Sequence, residues 1–354
     1  MKGVRSLSLL MLLVSSINFA QFDVFSPTTS IGGYGELHYN YIKTDGGDAT
    51  KTLDFHRFVM FYSHSWNEQW SFKSEIELEH NFVKGGQGEL ELEQAYVEYK
   101  HSKEFAVQAG VILPSVGLIN ETHEPPTFLS VERPDYSKNV IPTTWFGNGL
   151  SFVGNLDGFD YKVSIMEGLD ASKFSASSGI RSGRQKGYKA NAEDLLYNVR
   201  VNYINFPGLL IGASVTYNNA TADSTNNAIT IFDFHAKYQA NNIYAVAEFG
   251  NISYDNGPVE TTQGYYFDLG YNVGSLFKVK TEIIPFIRYS DYNTAASTLV
   301  GGDSEKEHHR TKWMIGAAVK PIPQVVFKID YAQDTIKLGD IKTDLLNIGV
   351  GYMF

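Results

Sequence analysis

Hydrophobic and polar residues alternate along most of this chain with a period of two. In "IFDFHAKYQ" (231–239), Phe232 and Phe234 alternate with Asp233 and His235. A period of two predicts a strand with one apolar and one polar face. The same alternation recurs in "GYYFDLGYN" (264–272), in "VVFKIDYA" (325–332) and in the C-terminal "NIGVGYMF" (347–354).

Short and long connections alternate between these predicted strands. The short ones are "HSK" (101–103), "LDG" (156–158), "FPG" (206–208), "ANN" (240–242), "VGS" (273–275) and "PIP" (321–323). The long ones include "KTDGGDATK" (43–51), "NATADSTNN" (219–227), "YDNGPVETTQ" (254–263) and the run 291–310. This asymmetry is typical of transmembrane barrels with short periplasmic turns and long extracellular loops. We therefore predict an all-β, closed, antiparallel up-and-down barrel of about sixteen strands over 21–354.

Lipid cannot hydrogen-bond to backbone amides, so such a sheet must close on itself and turn its apolar face outward. The polar face then lines an aqueous interior. Composition agrees, because charged residues are 19% of the chain against roughly 25% in soluble proteins. The net charge of −10 disfavours a nucleic-acid partner, which would need a basic face.

The N-terminus, "MKGVRSLSLLMLLVSSINFA" (1–20), has the features of a cleaved secretory signal peptide. Lys2 and Arg5 precede a short apolar core, and Ala20 is a small residue at the predicted cleavage site. A buried N-terminal helix is the alternative interpretation. We predict export to the outer membrane.

Three stretches carry a family resemblance: "DFHRFVMFYSHSWNEQWSFKSEIELEH" (54–80), "ELEQAYVEYK" (91–100) and "VERPDYSKNVIPTTWFGNG" (131–149). They resemble Gram-negative outer-membrane porins of the family that includes the phosphate-selective porins. The resemblance implies a sixteen-stranded barrel, often a homotrimer, in contact with membrane lipid and lipopolysaccharide. It also implies that the barrel-assembly machinery recognises the terminal aromatic Phe354, which we expect to close the barrel seam beside the first strand.

The third long loop, 113–148, is expected to fold into the pore, as the resemblance implies. It is rich in proline, which reduces the entropy lost on ordering. The alternative is an external flap that contacts neighbouring subunits. The predicted constriction residues are Glu121, His123, Glu124, Glu132, Arg133 and Lys138.

The inferred inward positions carry both signs of charge. "KSEIELE" (73–79) and "ELELEQ" (89–94) are expected to form an acidic wall on adjacent strands. Selectivity for one sign would need a dominant field of the opposite sign along the pore. The predicted lumen-lining residues are Lys73, Glu75, Glu77, Glu79, Glu98, Lys100, Arg200, Lys237, Arg288 and Lys328.

These observations predict a porin that allows passive diffusion of small hydrophilic solutes or ions. A phosphate- or anion-selective channel is the alternative. A basic group in the fourth outer loop is interpreted as a solvated surface, although it could gather anions or bind lipopolysaccharide. It comprises Lys173, Arg181, Arg184, Lys186 and Lys189.

Two other classes of function remain open at this point. Glu75, Glu77 and Glu79 share one strand face, and a pair of carboxylates could serve an outer-membrane hydrolase. The barrel could also be non-conducting, with a structural or adhesive role. Glu307–His309 lack a second ligand cluster nearby. We predict no enzymatic activity, no cofactor and no metal site.

Overall fold

The structure is a computed structural model that describes residues 26–85, 87–223 and 225–354. These residues contain sixteen antiparallel strands. The predicted signal peptide lies outside these residues. The strands are β1 (Thr28–Thr44), β2 (Thr50–Ser65), β3 (Trp70–Glu79), β4 (Leu90–Lys100), β5 (Ala106–Ile112), β6 (Gly147–Leu156), β7 (Phe159–Met166), β8 (Leu196–Tyr203), β9 (Leu209–Ala220), β10 (Asn227–Ala240), β11 (Ile243–Tyr254), β12 (Val259–Tyr271), β13 (Glu282–Thr298), β14 (His309–Ile322), β15 (Val325–Ile336) and β16 (Ile341–Met353).

Each strand pairs with its neighbours in chain order, and β1 pairs with β16, so the barrel is closed. The predicted fold class is confirmed. Two short helices, α1 (Tyr136–Asn139) and α2 (Asp303–His308), and several single 3₁₀ turns lie in the connections. No helix within the described residues is long and apolar enough to cross a bilayer.

The two faces of the strands separate as the alternation predicts. On β10, Phe232 and Phe234 are exposed on the outside, whereas Asp233 and His235 are buried inside. On β15, Phe327 and Ile329 are exposed while the intervening Lys328 is buried. The exposed apolar surface is the surface that a hydrocarbon environment would cover.

The seam between the first and last strands includes the terminal residue. The Phe354 amide donates to the Gly33 carbonyl at 2.9 Å, and the Gly33 amide donates back at 3.0 Å. The Phe354 ring stacks on Phe58 with centroids 6.0 Å apart. The main-chain ladder therefore continues to the last residue.

One end of the barrel carries mostly tight turns. Asn241 and Asn242 join β10 to β11 with φ of 53° and 65°, the left-handed backbone that a two-residue hairpin turn needs and asparagine tolerates. The turn between β12 and β13 is longer than predicted, because it contains a 3₁₀ turn at Val273–Phe277. At the outer end, β12 begins at Val259 and β13 ends at Thr298, so both strands extend into the predicted loops 254–263 and 291–310.

Two β-bulges lie within the strand pairs β1–β2 and β3–β4. Glu36 pairs with Arg57 and Leu37 with Phe55, so His56 has no partner residue in register. Similarly, Glu75 pairs with Gln94 and Ile76 with Leu92, which leaves Glu93 between them. A bulge re-aims the side chains beside it, so each one increases the number of polar groups that face the interior.

A cation on the outer face is expected to destabilise the barrel. Phe234→Lys, in the middle of β10, should lower the free energy of unfolding by about 2–4 kcal/mol, because a lysine ammonium at the midplane loses its hydration. Urea unfolding of protein folded into lipid vesicles measures this change. Phe277→Lys, in an exposed turn, is the matched control and should cost about 0–1 kcal/mol. Equal costs at both positions would contradict the assignment of the apolar band.

Candidate functional site

The segment 113–146 between β5 and β6 contacts inward-facing side chains from strands distributed around the barrel. The Ser115 amide donates to Asn198 on β8 at 3.1 Å. The Leu118 amide donates to the Glu248 carboxylate on β11 at 2.8 Å, and the Val131 amide donates to Asp330 on β15 at 2.7 Å. Side chains of the wall thus satisfy backbone donors of an irregular segment, which is what a buried loop requires.

Lysines on the inner wall of the barrel donate hydrogen bonds to backbone carbonyls of the same segment. Lys162 donates to the Leu113 carbonyl at 2.8 Å, and Lys328 donates to the Ser130 carbonyl at 2.7 Å. Lys320 donates to a third carbonyl, that of Pro126, at 2.7 Å. Many of the polar wall residues are therefore committed to holding this segment in place.

Glu121 is the acidic anchor on one side of the segment. Its carboxylate lies 2.7 Å from Lys162 Nζ and also accepts from Arg200, which in turn donates to Asp160 at 2.9 Å. Burial alone would raise the pKa of Glu121, but Lys162 and Arg200 outweigh it and lower the pKa to about 2. The anchor is therefore ionised at neutral pH.

A second anchor lies on the opposite side, at Ser130 and Glu132. Arg288 donates to Ser130 Oγ at 2.6 Å and holds Asp268 with two hydrogen bonds of 2.5 and 2.6 Å. Glu132 lies 3.0 Å from His38 Nδ1 and accepts from Asn40 at 3.0 Å. Bidentate guanidinium–carboxylate pairs are geometrically specific, so Arg288 fixes the position of Ser130.

Helix α1 and the residue before it add contacts with β14 and β10. Asp135 lies 2.9 Å from Lys312 Nζ, and the Tyr136 hydroxyl donates to Asp233 at 3.0 Å. Tyr136 is fully buried and packs against the Tyr266 ring, with centroids 5.5 Å apart.

The other predicted constriction residues have different surroundings. His123 is buried and faces Glu75 and Glu93. Glu124 is half-buried at the start of the 3₁₀ turn Pro125–Thr127, and Lys138 is exposed. The Nε and Nη2 atoms of Arg133 are buried and have no hydrogen-bond partner among the described residues.

The predicted lumen residues divide into paired and solvent-exposed groups. Glu77 accepts from Arg57 at 3.1 Å, and Glu98 accepts from Gln108 at 2.8 Å. Lys237 lies over the Tyr244 ring, 5.7 Å from its centroid. Glu79 is half-buried, whereas Lys73 and Lys100 are exposed.

Sequence reasoning did not single out Glu36, His38 and Arg57, although the alternation on β1 and β2 could have placed them inside. Arg57 lies 2.7 Å from Glu36 and is shared with Glu77. Glu93 belongs to the predicted acidic wall, but the bulge that brings it beside Glu75 has no signature in the sequence.

The basic group in the outer loop 167–195 is not simply a solvated surface. Arg184 donates to the Thr143 and Thr144 carbonyls at 2.7 Å each, at the end of the segment 113–146. Burial, followed by the charge of Arg181, lowers the pKa of Arg184 to about 10. Lys186 lies 2.7 Å from Glu89, which precedes β4. Through Arg184, the loop 167–195 braces the segment.

A cavity of about 470 Å³ lies beside the segment and is lined by both signs of charge. Its basic lining residues are Arg57, Arg133, Lys138, Arg181 and Lys312, and its acidic ones are Glu36, Asp54, Glu79, Glu132 and Asp135. Neither sign dominates. A closed barrel with a polar interior, crossed by an internally bonded segment, has the architecture of a diffusion channel.

Comparison with known proteins agrees with this architecture. The family model described as phosphate-selective porin O and P matches residues 31–243. The chain belongs to this porin family. An uncharacterized protein of Aquifex aeolicus is 33% identical over 351 residues, which cover 92% of this chain and 80% of the relative.

Solved structures with low sequence identity share the fold of this porin. The anion-selective porin of Comamonas acidovorans is 12% identical, with a TM-score of 0.62 over 93% of this chain and 100% of that one. OmpT of Vibrio cholerae, in its trimer form, is 13% identical, with a TM-score of 0.59 over 93% and 100% of the two chains. Family and fold together make this protein a passive-diffusion channel of the outer membrane.

Proposed function

We propose that this porin admits small hydrophilic solutes and ions through a lumen narrowed by the segment 113–146. The observation that carries the proposal is the set of hydrogen bonds between this segment and inward-facing residues of β8, β11 and β15. Passage through such a constriction requires no covalent chemistry, so we propose no enzymatic role. Glu75 and Glu77 are buried against the segment and the wall, which disfavours their use as a hydrolytic pair.

The mixed lining of the 470 Å³ cavity supports weak charge selectivity. Several inward cations are paired, as Arg57 is with Glu36 and Arg288 is with Asp268. A paired charge contributes little net field to a passing ion, whereas rings of one sign select ions of the other.

Anion preference is the second candidate, and Arg133 is the residue that favours it. Two of its guanidinium nitrogens have no hydrogen-bond partner within residues 26–85, 87–223 and 225–354. Arg133, Lys138 and Arg181 line the same cavity, so together they would raise the local concentration of anions. The family's phosphate preference would have to act through such a group.

Planar-bilayer recording of the purified mature protein tests both candidates. The wild type should conduct. In a KCl gradient its reversal potential should be close to zero or shifted slightly toward the chloride equilibrium potential. Arg133→Met should shift that potential toward cation selectivity, because it removes an unpaired positive charge from the path. Lys73→Met, an exposed cation on β3, is the control and should shift it less.

Absence of conductance in the wild type would overturn the diffusion channel and favour a structural or adhesive barrel. A reversal potential unchanged by Arg133→Met would remove the anion-selective candidate. Block of chloride current by low phosphate concentrations would favour phosphate selectivity.

The remaining partners are proposed from the family and the fold. We propose a homotrimer, in line with the trimer form printed for the Vibrio OmpT structure, with lipid and lipopolysaccharide around it. We also propose export through the N-terminal signal peptide and recognition of Phe354 by the barrel-assembly machinery. Cross-linking in native membranes measures the oligomeric state, and N-terminal sequencing of the mature protein identifies the cleavage site.

A further inference from the structure

Two carboxylates and one imidazole meet in a buried position between the segment 113–146 and the wall. Glu75 lies on β3, Glu93 is the bulge residue of β4, and His123 belongs to the segment. Their exposed fractions are 2%, 0% and 3%, respectively. One potential ligand atom from each residue lies within 4.8 Å of the other two.

The facing atoms of this group are unsatisfied. Glu75 Oε1, both carboxylate oxygens of Glu93 and His123 Nε2 are buried and have no hydrogen-bond partner among the described residues. The buried hydroxyl of Tyr34, whose ring is edge-on to the His123 ring, also has none in that part of the chain. Unpaired buried carboxylates are costly, so a cluster of them calls for a compensating cation.

The hydrogen bonding of His123 favours a metal ion as that cation. Nδ1 lies 3.0 Å from the Asn120 carbonyl. A carbonyl can only accept, so Nδ1 carries a proton, and Nε2 is the ring nitrogen that faces the carboxylates and would coordinate a metal ion. Metal-binding histidines commonly donate their second ring nitrogen to a backbone carbonyl in this way.

The distances agree with ligands that share one ion. His123 Nε2 lies 3.6 Å from Glu75 Oε1 and 3.4 Å from Glu93 Oε2. A charge-assisted hydrogen bond would be shorter, at about 2.7–2.9 Å. Tetrahedral ligands at ~2.0–2.2 Å from a zinc ion lie ~3.3–3.6 Å from one another. We propose that Glu75, Glu93 and His123 bind a divalent first-row transition-metal ion.

The surroundings support both the geometry and the charge of this site. Gln94 Nε2 donates to Glu75 Oε2 at 2.5 Å, which orients the carboxylate from its far side. Nearby, Arg57 is shared between Glu36 and Glu77, and neither Arg57 nor Arg133 forms an ion pair with Glu75 or Glu93 within the described residues. A divalent ion would balance these two carboxylates, and it would link the segment to β3 and β4.

Two other groups of potential ligands occur in the described residues, both containing His56, but they are satisfied without an ion. They are His38, His56 and Glu132, and Asp54, His56 and His80. Their histidine–carboxylate distances of 2.8–3.0 Å are those of ordinary hydrogen bonds. The choice of metal follows from the ligands: an imidazole disfavours Mg²⁺ and Ca²⁺, and hard carboxylates disfavour Cu⁺.

Zinc binding to the full-length mature protein tests the site without any measurement of current. The wild type, stripped with chelator and reloaded with Zn²⁺, should retain one ion per chain through gel filtration. His123→Gln and Glu93→Gln should each weaken binding by more than the ~10–100-fold that losing a second-shell partner costs. Substitution with Co²⁺ should give the visible absorption of a tetrahedral ion in the wild type and not in His123→Gln.

His56→Gln is the matched control, because His56 belongs to both of the other groups. It should retain the ion. The change in mobility on SDS gels after heating verifies that every variant folds. The proposal is overturned if the wild type retains no Zn²⁺. It is equally overturned if His56→Gln loses the ion while His123→Gln keeps it. Conductance in the absence of bound zinc would leave the channel function standing.

Discussion

Excision of residues 119–139 is expected to raise the single-channel conductance several-fold. The proposed function assigns the narrowing of the lumen to this segment, and a sixteen-stranded barrel without it would leave an open aqueous channel. A short glycine–serine linker can close the gap, because the residues that flank the excised stretch are adjacent. Ile141 Cγ2 lies 3.4 Å from the position of a Cβ on Gly117. The measurement is current through single channels in planar bilayers.

The control for this experiment shortens a different outer connection, residues 299–302. Leu299 and Val300 are 74% and 84% exposed, and a Cβ on Gly301 or Gly302 would meet no neighbouring atom within 4 Å. Its conductance should stay close to that of the wild type. An excised variant that conducts no more than this control would show that the segment does not limit passage.

Arg288→Met is expected to destabilise the barrel by about 3–5 kcal/mol, because it leaves the buried Asp268 carboxylate without its partner. Arg288 is 3% exposed and makes two hydrogen bonds to Asp268 and one to Ser130. Equilibrium urea unfolding in lipid vesicles measures the change. The same variant should loosen the segment 113–146 and increase current noise, since Ser130 loses its side-chain donor.

Two further variants separate the buried charge from the loss of side-chain volume. Lys237→Met removes an inward cation that has no salt bridge within the described residues, so it should cost much less. Arg288→Met combined with Asp268→Leu removes both charges and should recover most of the lost stability, because neither charge is then buried alone. A double variant as unstable as the single one would show that packing, not charge, dominates at this position.

The inner wall of the barrel and the segment 113–146 are joined by hydrogen bonds at several points. Wall residues such as Lys162, Asp330 and Arg288 lie on the inner face of rigid strands, and each holds one part of an irregular segment. The outer loop 167–195 adds a brace through Arg184. Much of the polar lining of this porin therefore holds the segment 113–146, and under the proposed function the remaining polar groups determine what passes.

The class of fold could be predicted from the amino-acid sequence alone. The period-two pattern of segments such as 231–239 predicts the strands, and the absence of hydrogen-bond partners in lipid requires the sheet to close. The alternation is a local feature of the sequence. In a bilayer it specifies a closed sheet, because the backbone amides and carbonyls of the strands find no hydrogen-bond partners in lipid. The outward position of residues such as Phe234 and Phe327 followed from the same constraint, and the strand number followed from the count of alternating segments.

The pairs of charged side chains that contact one another could not be predicted in this way. Glu121 and Arg200 are far apart in sequence, as are Glu75 and His123, and nothing periodic links them. Hydrogen bonds and ion pairs act over about 3 Å. Which polar side chains come that close depends on the path of the segment 113–146 and on the two bulges at His56 and Glu93. The sequence predicted no metal site for this reason: its proposed ligands come from two strands and a loop, and they converge only when the barrel closes around them.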